Sequence, residues 1–198
     1  MRLLPALMLL ILSLPLAAEE IRVVPGAGTL ADAIAGAAPG DVLRLEGGAY
    51  PGPVTIDRPL TITGPREAVV DGEGQGTVIT IEAPGVTLSG FTVTGSGHLN
   101  QDLDAGVKIL REAHRARIEG LLVTGNMHGI DIHGGHDARV IGNEIIGTRH
   151  SRMNERGNGV YVWNSPGALV HGNLIRYGRD GIFSNTSKDS TYRGNTFL

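Results

Sequence analysis

The sequence predicts an all-β fold, a right-handed single-stranded parallel β-helix with about three strands per coil, and three observations carry that prediction. The first is a ladder of five glycines, Gly90, Gly120, Gly142, Gly172 and Gly194, in which a long step and a short step alternate. Each closes the same phrase, as in Val86-Thr-Leu-Ser-Gly90, Ala138-Arg-Val-Ile-Gly142 and Ala168-Leu-Val-His-Gly172. The second is a companion phrase, Gly106-Val-Lys-Ile, Gly129-Ile-Asp-Ile, Gly159-Val-Tyr-Val and Gly181-Ile-Phe-Ser, whose steps run short, long, short. The third is composition: 30 glycines against 4% aromatic residues suit a chain that turns often between short strands. A fixed short period of roughly 22 residues is the pattern of a stacked solenoid, whose units bury their apolar faces only against one another.

In chain order, residues 1–18 read as an export signal: Met1-Arg2 carry the charge, Leu3 to Leu16 form the apolar run, and cleavage follows Ala17-Ala18. No later segment is apolar and long enough to span a membrane. Residues 19–85 read as an N-terminal cap helix and the first irregular coils. Thr29 to Asp41 has a candidate N-cap in Thr29, apolar residues at helical spacing and a Pro39-Gly40 stop. A short amphipathic helix here would cover the open end of the solenoid, where strand edges and core are otherwise exposed. Val42 to Leu45, Val54 to Ile56, Leu60 to Ile62 and Val78 to Ile81 are the strands expected in these coils.

Residues 86–198 are the regular repeats. Side chains alternate between the faces of a strand, so the recurring apolar positions name the interior. The inward columns are Val107/Ile130/Val160/Ile182, Ile109/Ile132/Val162, Leu88/Ile118/Val140/Val170/Tyr192 and Val93/Val123/Ile145/Ile175/Phe197. Asn143, Asn173 and Asn195 recur just after ladder glycines and are expected to form an internal amide ladder. Leu198 falls in mid-coil with no cap, and the chain is expected to be a fragment of a longer solenoid.

Charge and cysteine usage narrow the function classes. Without Arg2 and the rest of the signal, 16 basic residues face 20 acidic ones, with no sustained basic face to displace counterions, so nucleic acid is not an expected partner. With no cysteine there is neither a disulfide nor a thiolate metal site. Any metal must use His, Met, Asp or Glu.

Two coils carry extra residues, Ser96 to Ala105 and Thr148 to Asn158, both leaving the solenoid at the same corner. Loops grown from one face of a repeat array are where binding is commonly placed. Counting on by the same interval from successive ladder glycines gives His98, His128 and His150 on consecutive coils. Three imidazoles in a column could coordinate copper or zinc, and Met127 and Met153 nearby offer thioethers that suit Cu(I). Solvated loop histidines are the competing reading. His114 and His136, at equivalent turn positions, read as turn chemistry. The outward rows after the companion glycines run Lys108, Asp131, Tyr161, Phe183 and, further along each strand, Leu110, His133, Trp163, Asn185. Aromatic residues on a face that is normally polar point to a covered surface. A partner protein, a glycan, a later part of the chain or the Thr148 to Asn158 insertion could cover it. Asp131, with Lys108 and Tyr161 as neighbours, has no second acid for glycan hydrolysis, and Lys108 beside Asp131 is too little for a lyase.

The phrases Gly157-Asn-Gly-Val-Tyr-Val-Trp-Asn-Ser-Pro166 and Val170-His-Gly-Asn-Leu-Ile-Arg-Tyr-Gly-Arg-Asp-Gly-Ile-Phe183 resemble the NosD family, the periplasmic maturation proteins of nitrous-oxide reductase. The resemblance implies a periplasmic, non-enzymatic β-helix needed to load the reductase's copper centres. The partners it implies are an ABC transporter membrane subunit, a copper-chaperone lipoprotein and apo nitrous-oxide reductase. No cofactor is expected to be firmly bound, with transient copper at His98, His128, His150, Met127 and Met153 as the expectation read from the residues themselves. Such proteins are about twice this length. The partner surface expected on this chain is Tyr161, Trp163, Phe183, Asp131 and His133. A carbohydrate-binding or carbohydrate-degrading solenoid, with the aromatics stacking on sugar rings and Asp131 as the acid, is the alternative.

Overall fold

The computed structural model describes residues 18–198, so all but the last residue of the expected export signal lies outside the described residues. Three sheets, every strand pair parallel, run the length of the molecule and wind into a β-helix of three strands per coil. The first sheet has eight strands and includes those that lead into the ladder glycines, such as Thr87–Ser89, Arg117–Glu119 and Arg139–Ile141. The second has seven, among them Thr92–Thr94, Leu122–Asn126 and Glu144–Gly147 just beyond the ladder glycines. The third has six, including Ala105–Ile109, His128–His133, Val160–Trp163 and Ile182–Asn185. Among the described residues no helix is long and apolar enough to cross a membrane.

The two glycine phrases serve different physical needs. Gly120, Gly142, Gly172 and Gly194 lie at φ of 62° to 66°, and Gly90 at 86°. That left-handed conformation at the corner between first and second sheets is one an L side chain resists. At Gly129 the constraint is space: a Cβ there would run into the Gly159 carbonyl oxygen and the Ile145 side chain.

Pairing registers confirm the inward columns. Val107, Ile130, Val160 and Ile182 are consecutive partners, as are Leu88, Ile118, Val140, Val170 and Tyr192. Most of the aliphatic members are almost completely buried, each worth about 1.5–3 kcal/mol in removal from water. Tyr192 and Phe197 keep the register of the columns but are exposed, each on a strand that pairs on one side alone among the described residues.

The N-terminal region is more regular than its sequence suggests. Val42–Leu45 and Val54–Ile56 form as expected, but Glu20–Val23, Gly48–Pro51 and Ala68–Asp71 are also strands and complete the first coils. Their alternation was hidden by Gly, Pro and charged residues on the outward side. The helix spans Thr29–Gly36 and contacts the first strand of each sheet, burying Leu30 and Ile34 across the end of the solenoid. Thr29 is not its N-cap. Gly28 occupies that position, and the Thr29 hydroxyl donates back to the Gly26 carbonyl at 3.0 Å. The helix also stops before Pro39, and Asp41 takes up the turn, its carboxylate accepting the N–H of Glu19 at 2.9 Å and of Ala38 at 2.8 Å.

An asparagine ladder closes the corner after the ladder glycines. Asn143 Nδ2 donates to Asn173 Oδ1 and Asn173 Nδ2 to Asn195 Oδ1, each at 2.9 Å. Each Oδ1 also accepts the backbone N–H of the asparagine one coil earlier, at 2.9 and 3.0 Å. Truncating Asn173 would strand the buried N–H groups of Asn143. Asn173→Ala should therefore lose about 1–3 kcal/mol of unfolding free energy. Urea denaturation with an unchanged m-value checks this, and no measurable loss would show that the ladder is replaceable.

Candidate functional site

The third sheet presents the outward rows at the registers the repeat requires. Lys108 pairs with Asp131, Asp131 with Tyr161 and Tyr161 with Phe183, while His133 pairs with Trp163 and Trp163 with Asn185. Partners one coil apart sit about 4.8 Å from each other, a natural stacking distance for planar rings. Tyr161 and Phe183 stack at 5.1 Å and 9°, His133 and Trp163 at 4.6 Å and 29°. His133 and Tyr161 lie 6.5 Å apart and nearly parallel, so the two rows join into one half-buried aromatic surface. Burial pushes the Tyr161 phenol above its ordinary pKa, the Asp131 carboxylate adding to the rise and Arg179 opposing it.

Asp131 departs from the expectation of an outward, accessible acid: it is 0% exposed. Its row neighbours are longer, and Lys108 and His133 close over the short carboxylate, with Lys108 Nζ at 3.8 Å and His133 Nδ1 at 3.6 Å. Neither approach is a hydrogen bond, and both carboxylate oxygens lack a hydrogen-bond partner. A buried carboxylate in this state is held by the charge of Lys108, whose Nζ also donates to the Asp102 carbonyl at 2.9 Å. A sealed carboxylate cannot reach a sugar, which removes the acid required by the carbohydrate-degrading alternative.

Both insertions leave between the second and third sheets, and a cavity of 530 Å³ lies between them. His98 and Asn100 of the first insertion, Met127 of the wall, and Thr148, His150 and Glu155 of the second line it. Of the expected metal donors, His98, His150 and Met127 thus come to one place. His128 and Met153 do not. His128 pairs with Ala105, and the offset of Ile130 from Val160 sets it beside Asn158 rather than His150. Counting forward from the ladder glycines fails here because the extra residues loop out and register is restored only at the companion glycines. Met153 sits in a 3-10 turn, Met153–Glu155, and is 60% exposed outside the cavity lining. Among the described residues, no three His, Asp or Glu side chains gather into a group that could hold a metal ion.

His128 instead ties the insertions together. Asn158 N–H donates to Nδ1 at 3.1 Å, which places the imidazole proton on Nε2, where it donates to Asn100 Oδ1 at 2.9 Å. No sequence signal distinguished this buried clamp from the exposed His98 and His150, because the partners that occupy its nitrogens come from loops.

The model of the right-handed β-helix region family matches residues 77–198. The chain belongs to that family. It is 38% identical over 138 residues to a protein of Stutzerimonas stutzeri named probable ABC transporter binding protein NosD, covering 70% of this chain and 32% of that one. A Pseudomonas aeruginosa protein of the same name is 34% identical over 137 residues, covering 69% and 32%. The matched stretch spans about a third of the length of these curated relatives. An alginate lyase from Paenibacillus sp. superposes with a TM-score of 0.63 at 16% identity, over 89% of this chain and 73% of the lyase, a likeness of fold alone.

Burial holds the His128 imidazole below the ordinary histidine pKa; Asp131 opposes this, Arg179 and Lys108 reinforce it, and Asp104 opposes it. The unfolded chain therefore binds that proton more readily than the folded one. The stability it contributes is complete above the ordinary value of 6.5 and is lost as pH falls through that value toward the lower folded one. Urea midpoints should drop between about pH 7 and pH 5, and His128→Asn should show a smaller drop. Parallel pH profiles for the two proteins would contradict the clamp.

Proposed function

We propose that the protein acts in the periplasm as an accessory factor for loading the copper centres of nitrous-oxide reductase, as a docking scaffold that works with an ABC transporter. The observation that carries this reading is the continuous aromatic surface of His133, Tyr161, Trp163 and Phe183, set beside two insertions, on a chain whose relatives are named probable ABC transporter binding proteins. Tyr and Trp that are half-buried before a partner arrives are the residue types that dominate interface energies, because they bury large area with little conformational freedom to lose. The export signal read in residues 1–18 supports the compartment.

The partners in this reading are the transporter's membrane subunit, a copper-chaperone lipoprotein and the apo-reductase, and copper is cargo passed between them. His98, His150 and Met127 supply imidazole and thioether donors at one cavity, a set that suits brief contact with Cu(I). The role is non-enzymatic: the sealed Asp131 offers no general acid, and the aromatic surface acts by contact.

Tyr161→Ala combined with Trp163→Ala should weaken binding to apo-reductase or to the copper donor by about 30-fold. Reductase purified from cells carrying the double variant should contain less copper. If the wild type bound neither partner, and the variant left reductase copper unchanged, the reading would fail.

A further inference from the structure

The first sheet carries a second concavity, on a face distinct from the aromatic one. Arg117 and Arg139 are register partners on adjacent strands, both exposed, and Arg115 precedes Arg117 at the corner with φ of 58°. All three line a cavity of 600 Å³ together with Asp137. Like charges held one coil apart, at about 4.8 Å, repel each other and cost stability unless a counter-charge lies between them. Glu119 engages Arg117 at one guanidinium nitrogen. Arg115, Arg139 and Asp137 make no ion pair among the described residues. On the coil after the arginines the equivalents are small or apolar, Gly167 following Asp137 in the corner column and Leu169 following Arg139 in the strand row; Asp189 and Thr191 stand one coil further on. This step from long to short side chains makes the hollow, which the arginine arms border and Ala168 and Leu169 floor.

We infer that this hollow binds the phosphate group of a small organic phosphate ester. Three guanidinium groups set against Asp137 in the lining and Glu119 on Arg117 leave one positive charge in surplus, with Arg115 and Arg139 in no ion pair among the described residues, and a phosphate monoester carries about −1.5 to −2 at neutral pH. The Arg139 guanidinium fork can donate a pair of hydrogen bonds to two phosphate oxygens, and the Arg117 N–H groups that Glu119 leaves open can reach a third oxygen, which a carboxylate lacks. The volume exceeds what one phosphate fills, and the Ala168 and Leu169 floor gives the organic portion an apolar contact.

Purified protein titrated calorimetrically with glycerol phosphate, inorganic phosphate and acetate at constant ionic strength tests this. Saturable binding of the phosphates and none of acetate is expected, with Arg117→Gln/Arg139→Gln weakening it at least about 10-fold. Arg111→Gln, exposed and outside the cavity, should bind like the wild type, and unchanged circular dichroism of both variants separates lost binding from lost fold. Tighter binding of glycerol phosphate than of phosphate assigns a role to the floor, while equal binding assigns the phosphate group alone. No saturable binding, acetate binding as tightly as phosphate, or an unaffected double arginine variant would overturn the inference.

Discussion

Parallel strands stacked about 4.8 Å apart constrain nearly everything in this molecule. In such a solenoid the nearest neighbours of a side chain are its equivalents one coil before and one coil after, whatever their chemistry. An asparagine finds an asparagine and the pair becomes a hydrogen-bond ladder. Tyr161 finds Phe183 and the rings stack. Arg117 finds Arg139, and the like charges repel, Glu119 answering one of the two. The same backbone geometry therefore yields stability in one column and binding capacity in the next.

That constraint lapses where the two insertions leave the coil. Between the second and third sheets the chain is free to loop, and register returns only at the companion glycines, where close packing leaves no room for a side chain. The loops are held by particular contacts instead. His128 clamps both, through Asn100 and Asn158, and Lys108 reaches the Asp102 carbonyl. The cavity between them is thus a product of individual hydrogen bonds, and it brings His98, His150 and Met127 together without any repeat requiring it.

The two outer faces divide the surface by chemistry. The third sheet offers aromatic area above the sealed Asp131 and Lys108; the first offers guanidinium donors in a hollow. Both faces rest on the same aliphatic interior, whose columns continue unbroken from one coil to the next.

By itself the sequence determined the fold, the inward columns, the asparagine ladder and the rows that hold Tyr161, Trp163 and Phe183, because each of these follows from the regular step between ladder glycines and the alternation of side chains along a strand. Strands such as Gly48–Pro51 and Ala68–Asp71 escaped it because their outward residues masked the alternation. Tertiary structure alone decided that Asp131 is sealed, that His128 is a clamp with both nitrogens occupied, and that Met153 stands apart from the other donors. Periodicity says which face a residue occupies. The depth of a short side chain beneath longer neighbours, and the path of a loop that has left the coil, depend on contacts that no period encodes.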